Sequence, residues 1–396
     1  MLPHGPAHVR SSPRDLAVFG GEPSFAAPLH VGRPIIRDQA RFSELVEGVL
    51  ERRWLTNDGP LVRELEERVA AHVGVRHCVA TCNGTVALEI AIRALGLTGE
   101  VIVPSYTFIA TAHSLHWQGL KPVFVDIDPR THTLDPEAVQ RAITPQTSGI
   151  LGVHLWGRAA PVDELQSIAD EHGLTLLFDA AHAFSSTHRQ RKIGRFGRAE
   201  VFSFHATKFF HSLEGGAIVT DDDDLAETMR LMRNFGFANE DEVVHPGTNG
   251  KMTEVCAAMG LANLPHVDEV RETNRENHAA YTKALAEVPG VEVMQYDEAE
   301  NNNYQYVVLE VDSRVAPSRD DLLQTLRAEN VLARRYFWPG CHQMMPYREL
   351  YPEAASTLKQ TQAVADRVLV LPTGDSVSGD DIEVIADILA KRIAIG

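Results

Sequence analysis

Lys208 and Asp179 are the two residues of this chain whose types and settings could do chemistry together. Lys208 ends the run Phe202-Ser203-Phe204-His205-Ala206-Thr207-Lys208 and is soon followed by Glu214-Gly215-Gly216. An amine just past a short apolar strand, near paired glycines that let the backbone turn tightly, has the setting of a buried lysine able to form a Schiff base with a carbonyl compound. Asp179 closes the apolar run Leu174-Thr175-Leu176-Leu177-Phe178 and opens Asp179-Ala180-Ala181-His182. A carboxylate at the carboxyl end of a central strand lies where open α/β sheets place their ligands. From there it could keep a pyridine nitrogen protonated, because an adjacent negative charge favours the cationic ring.

That pairing of lysine and aspartate suggests pyridoxal phosphate. A third motif offers a place for the phosphate. Thr81-Cys82-Asn83-Gly84-Thr85 directly precedes the helical pattern Val86 to Leu95. Backbone N–H groups at a helix start, a glycine that permits close approach and a threonine hydroxyl make an anion site. An ordinary turn and N-cap would carry the same residues, and it is the company of Lys208 and Asp179 that favours the phosphate.

Around these residues the chain reads as a large α/β enzyme. Its 396 residues, 44% of them hydrophobic, can bury a sizeable core in roughly two domains. The net charge of −17 is dispersed apart from Asp221 to Asp224, leaving no basic footprint for nucleic acid. That acidic run reads as a solvated turn rather than a metal site, since no further oxygen or histidine cluster lies close in sequence, and no metal is expected elsewhere. Cys78, Cys82, Cys256 and Cys341 lack metal-binding spacing and suit a reducing compartment as free thiols. Met1 to Arg14 lacks the apolar core of a signal peptide and no later run approaches a membrane span, so a cytoplasmic protein is expected.

Pro60 suits a first helical turn, and Leu61, Leu65 and Val69 repeat at helical spacing until Gly74. Short apolar strands then alternate with helical patterns: Val101 to Val103, Val123 to Val125, Ile150 to Val153, Leu174 to Phe178, Val201 to Phe204 and Ala217 to Val219. Such alternation predicts a mostly parallel sheet flanked by helices. From about Pro265 the texture changes to a charged helix (Glu269 to Ala286), strands over Tyr304 to Val311 and Val331 to Tyr336, a helix from near Ser318, and a final helix with Ile382, Ile385 and Leu389 on one face. We therefore expect an N-terminal tail or arm over 1–30, a large cofactor-binding α/β domain over 31–264, and a smaller C-terminal α+β domain over 265–396.

Five ordered motifs now carry a resemblance: Asn83-Gly84-Thr85, Pro104-Ser105-Tyr106-Thr107-Phe108, Asp179-Ala180-Ala181-His182, the Lys208 run with its Glu-Gly-Gly, and Gly247-Thr248-Asn249-Gly250-Lys251-Met252-Thr253-Glu254. From about Gly32 to the last helix the chain resembles the DegT/DnrJ/EryC1/StrS family of sugar aminotransferases. The resemblance implies the type I fold of pyridoxal phosphate-dependent transferases. It implies that Lys208 carries the cofactor and then moves the proton, that Asp179 pairs with the ring nitrogen, that the ring of Phe108 stacks on the cofactor, and that His182 bonds its phenolic oxygen. Gly84, Thr85 and Ser203 match phosphate-binding positions. Asn249 matches an asparagine that reaches the phosphate from the partner subunit, which implies a homodimer with shared active sites.

The same resemblance implies a nucleotide-linked keto sugar as amine acceptor, L-glutamate as donor and pyridoxamine phosphate between two half-reactions. The Ser-Phe-His-Ala-Thr-Lys run is similar to enzymes that aminate C-4. Arg335-Tyr336-Phe337-Trp338-Pro339-Gly340-Cys341-His342 resembles those acting on dTDP-4-keto-6-deoxyglucose in antibiotic deoxysugar pathways. Within that stretch Tyr336, Phe337, Trp338 and His342 are candidates for substrate contact, with domain packing as the other reading. His205 fits equally a support for Lys208 or a core histidine. Three rival functions are a C-3 aminotransferase, a pyridoxamine-dependent sugar dehydratase, against which Lys208 itself argues, and a regulator without chemistry.

Overall fold

The protein is described here as a computed structural model covering residues 12–395. Seven strands form the main sheet: β1 (His77–Thr81), β2 (Glu100–Pro104), β3 (Lys121–Val125), β4 (Thr147–Val153), β5 (Thr175–Asp179), β6 (Glu200–Ser203) and β7 (Gly216–Thr220). Their spatial order is β1-β7-β6-β5-β4-β2-β3. Pairing is parallel from β6 to β3, and β7 runs antiparallel to both of its neighbours. Alternate residues bury on opposite faces, Leu176 and Phe178 of β5 in one apolar cluster and Leu177 in another, as helices on both sides of a parallel sheet require. All six expected strands are present. β1, which the sequence reading did not identify, adds the edge.

The helix expected from Pro60 spans Pro60–Val73 and stops at Gly74, whose φ of 84° is the left-handed conformation that glycine adopts at little cost. Its exposed N–H groups find an unexpected partner. The buried carboxylate of Glu254 accepts from the Leu61 and Val62 N–H groups at 3.0 and 2.9 Å, a negative charge set against the positive end of the helix. Asp222 of the acidic run accepts from the Leu225 N–H at 3.0 Å as N-cap of the helix Asp223–Arg233, while Asp223 pairs with Arg76 and His77.

A three-stranded antiparallel sheet, β8 (Val291–Val293), β9 (Val307–Val311) and β10 (Val368–Leu371), lies against the helices Val267–Leu285, Arg319–Ala328 and Gly379–Ala394. Ile382, Ile385 and Leu389 are buried there as expected. The strand expected over Val331 to Tyr336 is only Val331–Leu332, and β10 was not foreseen. Part of the tail expected up to Arg14 lies outside the described residues. From Leu16 onward the segment is packed: Leu16, Phe25 and Leu29 are buried in the smaller unit's core. Leu29–His30 pairs with Val331–Leu332, and the Glu329 carboxylate accepts from the N–H groups of Ala17 and Ser24 at 2.5 and 2.6 Å. A fourth apolar cluster joins the two units and includes Tyr106, Trp156, Tyr306 and Phe337.

Candidate active site

The parallel strands of the main sheet end at one edge, and the residues that follow them surround a cavity of about 630 Å³. Asp179 is the last residue of β5 and is buried. Its Oδ1 accepts the Ala181 N–H at 3.1 Å, and its Oδ2 accepts the Thr111 hydroxyl at 2.8 Å. Thr111 is in turn 2.9 Å from Thr107, so the carboxylate is fixed in orientation. Burial pushes the Asp179 carboxyl above the usual carboxylate range, opposed by these hydrogen bonds and by the charge of Lys208.

Lys208 follows β6 on a turn closed by its own N–H to the His205 carbonyl at 2.8 Å, and its side chain lines the cavity. Burial pushes the amine down to about 8, with Asp179 pulling the other way. A lysine so placed has a far larger neutral fraction near physiological pH than an ordinary lysine, and that fraction is the nucleophile. His182 lines the cavity beside it, its Nε2 3.2 Å from the Tyr306 hydroxyl and its ring flanked by Trp156 and Phe337. Burial holds this imidazole well below its ordinary pKa, hence neutral. Its Nδ1 is buried without a hydrogen-bond partner, which marks a polar atom awaiting a ligand group.

The phosphate cradle is assembled from three elements. Asn83 caps the helix Gly84–Ala94 by accepting the Val86 N–H at 2.9 Å, so this helix starts at the cavity wall with Gly84 and Thr85. A Cβ on Gly84 would approach the Ser203 Cβ to 3.0 Å, and one on Gly216 would lie 2.7 Å from the Gly84 nitrogen. A side chain at Gly216 would collide with backbone and one at Gly84 would crowd Ser203, so the two glycines let helix start, β6 and β7 meet closely. Phe108 keeps 56% of its surface open at the cavity, leaving a ring face for stacking. The orphaned His182 nitrogen, the glycine-walled helix start and the lysine–aspartate pair fit pyridoxal phosphate.

Gly84, Thr85, Phe108, Asp179, His182, Ser203 and Lys208 are therefore brought together. Asn249 is not: it is exposed, bridged to Asn234, and does not line the cavity of its own chain. The substrate candidates divide. Tyr336 and Phe337 line the cavity, the Tyr336 carbonyl accepting from the Tyr106 hydroxyl at 2.5 Å. Trp338 turns away, its indole N–H donating to Asp366 with Arg335 over its ring. His342 is buried outside the cavity, 2.6 Å from the Ser105 hydroxyl, and burial pushes it down to about 4. Trp338 and His342 do not line this cavity, the chain reversing between Phe337 and Gly340. His205 lines the cavity and is no core histidine.

Sequence reasoning missed Thr111, Tyr306 and Trp156. Only Thr111 left a signal, a second threonine four residues after Thr107 at the start of the helix Ile109–His116. Among the described residues no group of three or more His, Cys, Asp or Glu side chains is placed to hold a metal ion, and no helix is long and apolar enough to cross a membrane.

A mostly parallel sheet whose strand ends present a lysine, an aspartate and a helix-borne phosphate cradle defines a pyridoxal phosphate-dependent aminotransferase of fold type I. Within that class the chain belongs to the DegT/DnrJ/EryC1/StrS aminotransferase family, whose sequence model matches residues 37–390. It is 36% identical over 366 residues to the dTDP-4-amino-4,6-dideoxy-D-glucose transaminase of Escherichia coli, covering 92% of this chain and 98% of that protein. Among solved structures it is similar to DesI, determined in the presence of its TDP-sugar product, with 53% identity, a TM-score of 0.91 and coverage of 95% and 96% of the two chains. PseC of Helicobacter pylori, an aminotransferase of pseudoaminic acid biosynthesis, matches at 26% identity and a TM-score of 0.87 over 93% of this chain and all of its own.

Proposed function

We propose that this protein transfers the amino group of L-glutamate to C-4 of dTDP-4-keto-6-deoxy-D-glucose, giving dTDP-4-amino-4,6-dideoxy-D-glucose. It does so in the cytoplasm, as a homodimer, within antibiotic deoxysugar biosynthesis. The observation that carries the substrate reading is the 53% identity, over nearly the whole chain, to an enzyme solved with its TDP-sugar product. The activity for which the Escherichia coli relative is named supports amination at C-4.

When bound, pyridoxal phosphate supplies an electron sink for the carbon that loses its proton. The chain's own residues do the rest. Asp179, held by Thr111 and the Ala181 N–H, presents a fixed carboxylate to the ring nitrogen. The helix N-terminus at Gly84 and Thr85, with Ser203, binds the phosphate. Phe108 covers one ring face, and the unpartnered Nδ1 of His182 meets the phenolic oxygen. Lys208 Nζ, neutral near its lowered pKa, takes the proton from the amine-bearing carbon and returns it across the same face. Tyr336 and Phe337 exclude water above it.

The test mixes the protein and pyridoxal phosphate with L-glutamate and dTDP-4-keto-6-deoxyglucose, follows 2-oxoglutarate release and identifies the sugar by NMR. A new amine at C-4 is expected. Conversion of the cofactor by glutamate with no aminated sugar retains the aminotransferase and removes this substrate.

A further inference from the structure

His205 and Glu214 lie on the cavity wall and take no part in holding the cofactor. Nδ1 of His205 accepts the Thr207 N–H at 3.3 Å and lies 2.8 Å from the Thr207 hydroxyl. Its lone pair is thereby engaged, and the proton of the neutral ring sits on Nε2. Nε2 faces Oε1 of Glu214 at 3.5 Å, longer than a good N–H···O bond. Donor and acceptor thus stand opposed without satisfying each other, with 45% and 62% of their side-chain surfaces open.

The backbone goes to some expense to put Glu214 there. Leu213, the residue before it, has a φ of 66°, a strained conformation for a residue bearing a Cβ, and such strain gathers at functional sites. The turn is braced from behind. The Ser212 hydroxyl donates to the Glu214 carbonyl at 3.1 Å, and a Cβ on Gly215 would come within 2.1 Å of that hydroxyl oxygen.

We infer that His205 and Glu214 together read one hydroxyl group of the acceptor sugar, that on the carbon next to the reacting carbonyl. The inference rests on the sugar reading above. A hydroxyl oxygen seated against both side chains accepts from Nε2–H and donates to the carboxylate, which uses both of its capacities. The carboxylates of an amino acid and the phosphates of a nucleotide are repelled by Glu214, whereas a neutral hydroxyl suits both side chains. The pair lines the same cavity as Lys208, whose amine serves the reacting carbon, and His205 stands three residues before it on the same turn.

The test uses the cofactor-loaded protein and Glu214→Ala, an exposed position whose variant should keep the cofactor absorbance of the parent. Single-turnover amination of dTDP-4-keto-6-deoxyglucose is compared with that of its 3-deoxy counterpart, and the donor half-reaction with L-glutamate is timed separately. A hydrogen-bonded charged group of this exposure predicts that the parent prefers the hydroxylated sugar by roughly 10- to 100-fold. Glu214→Ala should lose most of that factor on the hydroxylated sugar, keeping only the share of the His205 N–H, the loss falling on the sugar half-reaction and not on the donor half-reaction. A parent that treats both sugars alike, a variant that discriminates as fully as the parent, or an equal loss in the donor half-reaction overturns the inference. A parent that aminates neither sugar while glutamate still converts the cofactor overturns the substrate reading, and the inference falls with it.

Discussion

At the scale of single residues, function rests on how burial and a few hydrogen bonds tune Lys208 and Asp179. Because burial lowers the Lys208 amine to about 8, cofactor capture by the cofactor-free protein should accelerate as pH rises through about 8 and level off above it. The sign follows from chemistry: the protonated amine below that pH has no lone pair to attack a carbonyl. Asp179 raises the amine's pKa, so Asp179→Asn should move the midpoint to lower pH. Stopped-flow absorbance across a pH series reads both, and a midpoint near the ordinary lysine value would contradict the burial argument. Thr111→Val tests the orientation of the carboxylate. It removes a hydrogen bond to a charged group while keeping shape, a loss of about 1.5–3 kcal/mol, so kcat should fall at least ~10-fold with unchanged circular dichroism. Unaltered kcat would leave Thr111 a purely structural role.

At the scale of elements, the phosphate cradle depends on close approach of a helix start to two strands. Gly216 opens β7 where a Cβ would lie 2.6 Å from the Asn83 carbonyl carbon. Gly216→Ala must push the Asn83-Gly84 segment outward, and the helix N–H groups with it. Affinity for pyridoxal phosphate should fall ~10-fold or more, measured by fluorescence titration, while affinity for a phosphate-free pyridoxal changes far less. An equal drop for both ligands would place the damage elsewhere. Glu254 shows the same dependence at longer range: its carboxylate caps a helix by accepting from Leu61, 193 residues earlier in the chain. The motif that ends in Glu254 thus holds the fold at one end and presents Asn249 at the other.

At the scale of the whole molecule, Asn249 stands outside its own cavity, and the proposed homodimer gives it one. Protein carrying Lys208→Ala lacks the amine, and protein carrying Asn249→Ala lacks the residue lent across the interface. Co-refolded in equal amounts, half of the dimers combine one chain of each kind and regain a single intact site, so activity should reach about one quarter of the parent's. Activity no higher than the mean of the two variants refolded separately would show that Asn249 serves its own chain.

The amino-acid sequence by itself determined six of the seven strands of the main sheet, the Pro60 helix, and the pairing of Lys208 with Asp179 as candidates. Each rests on signals that span a few residues: apolar runs, a proline that opens a helix, a glycine that stops one. The resemblance carried by five motifs supplied the rest of the cofactor set. Tertiary structure decided what local signals cannot carry. It showed that Tyr336 and Phe337 face the cavity while Trp338, one residue on, does not, because a backbone reversal separates neighbours that composition treats alike. It placed Thr111 on Asp179, 68 positions away, and Tyr306 on His182, 124 positions away. It packed part of the N-terminal segment expected as a tail or arm into the smaller unit's core through Leu16 and Phe25. Periodicity reports which face of an element is buried, but which side chain of another element it meets depends on how layers pack, and that is fixed only when the whole chain has closed on itself.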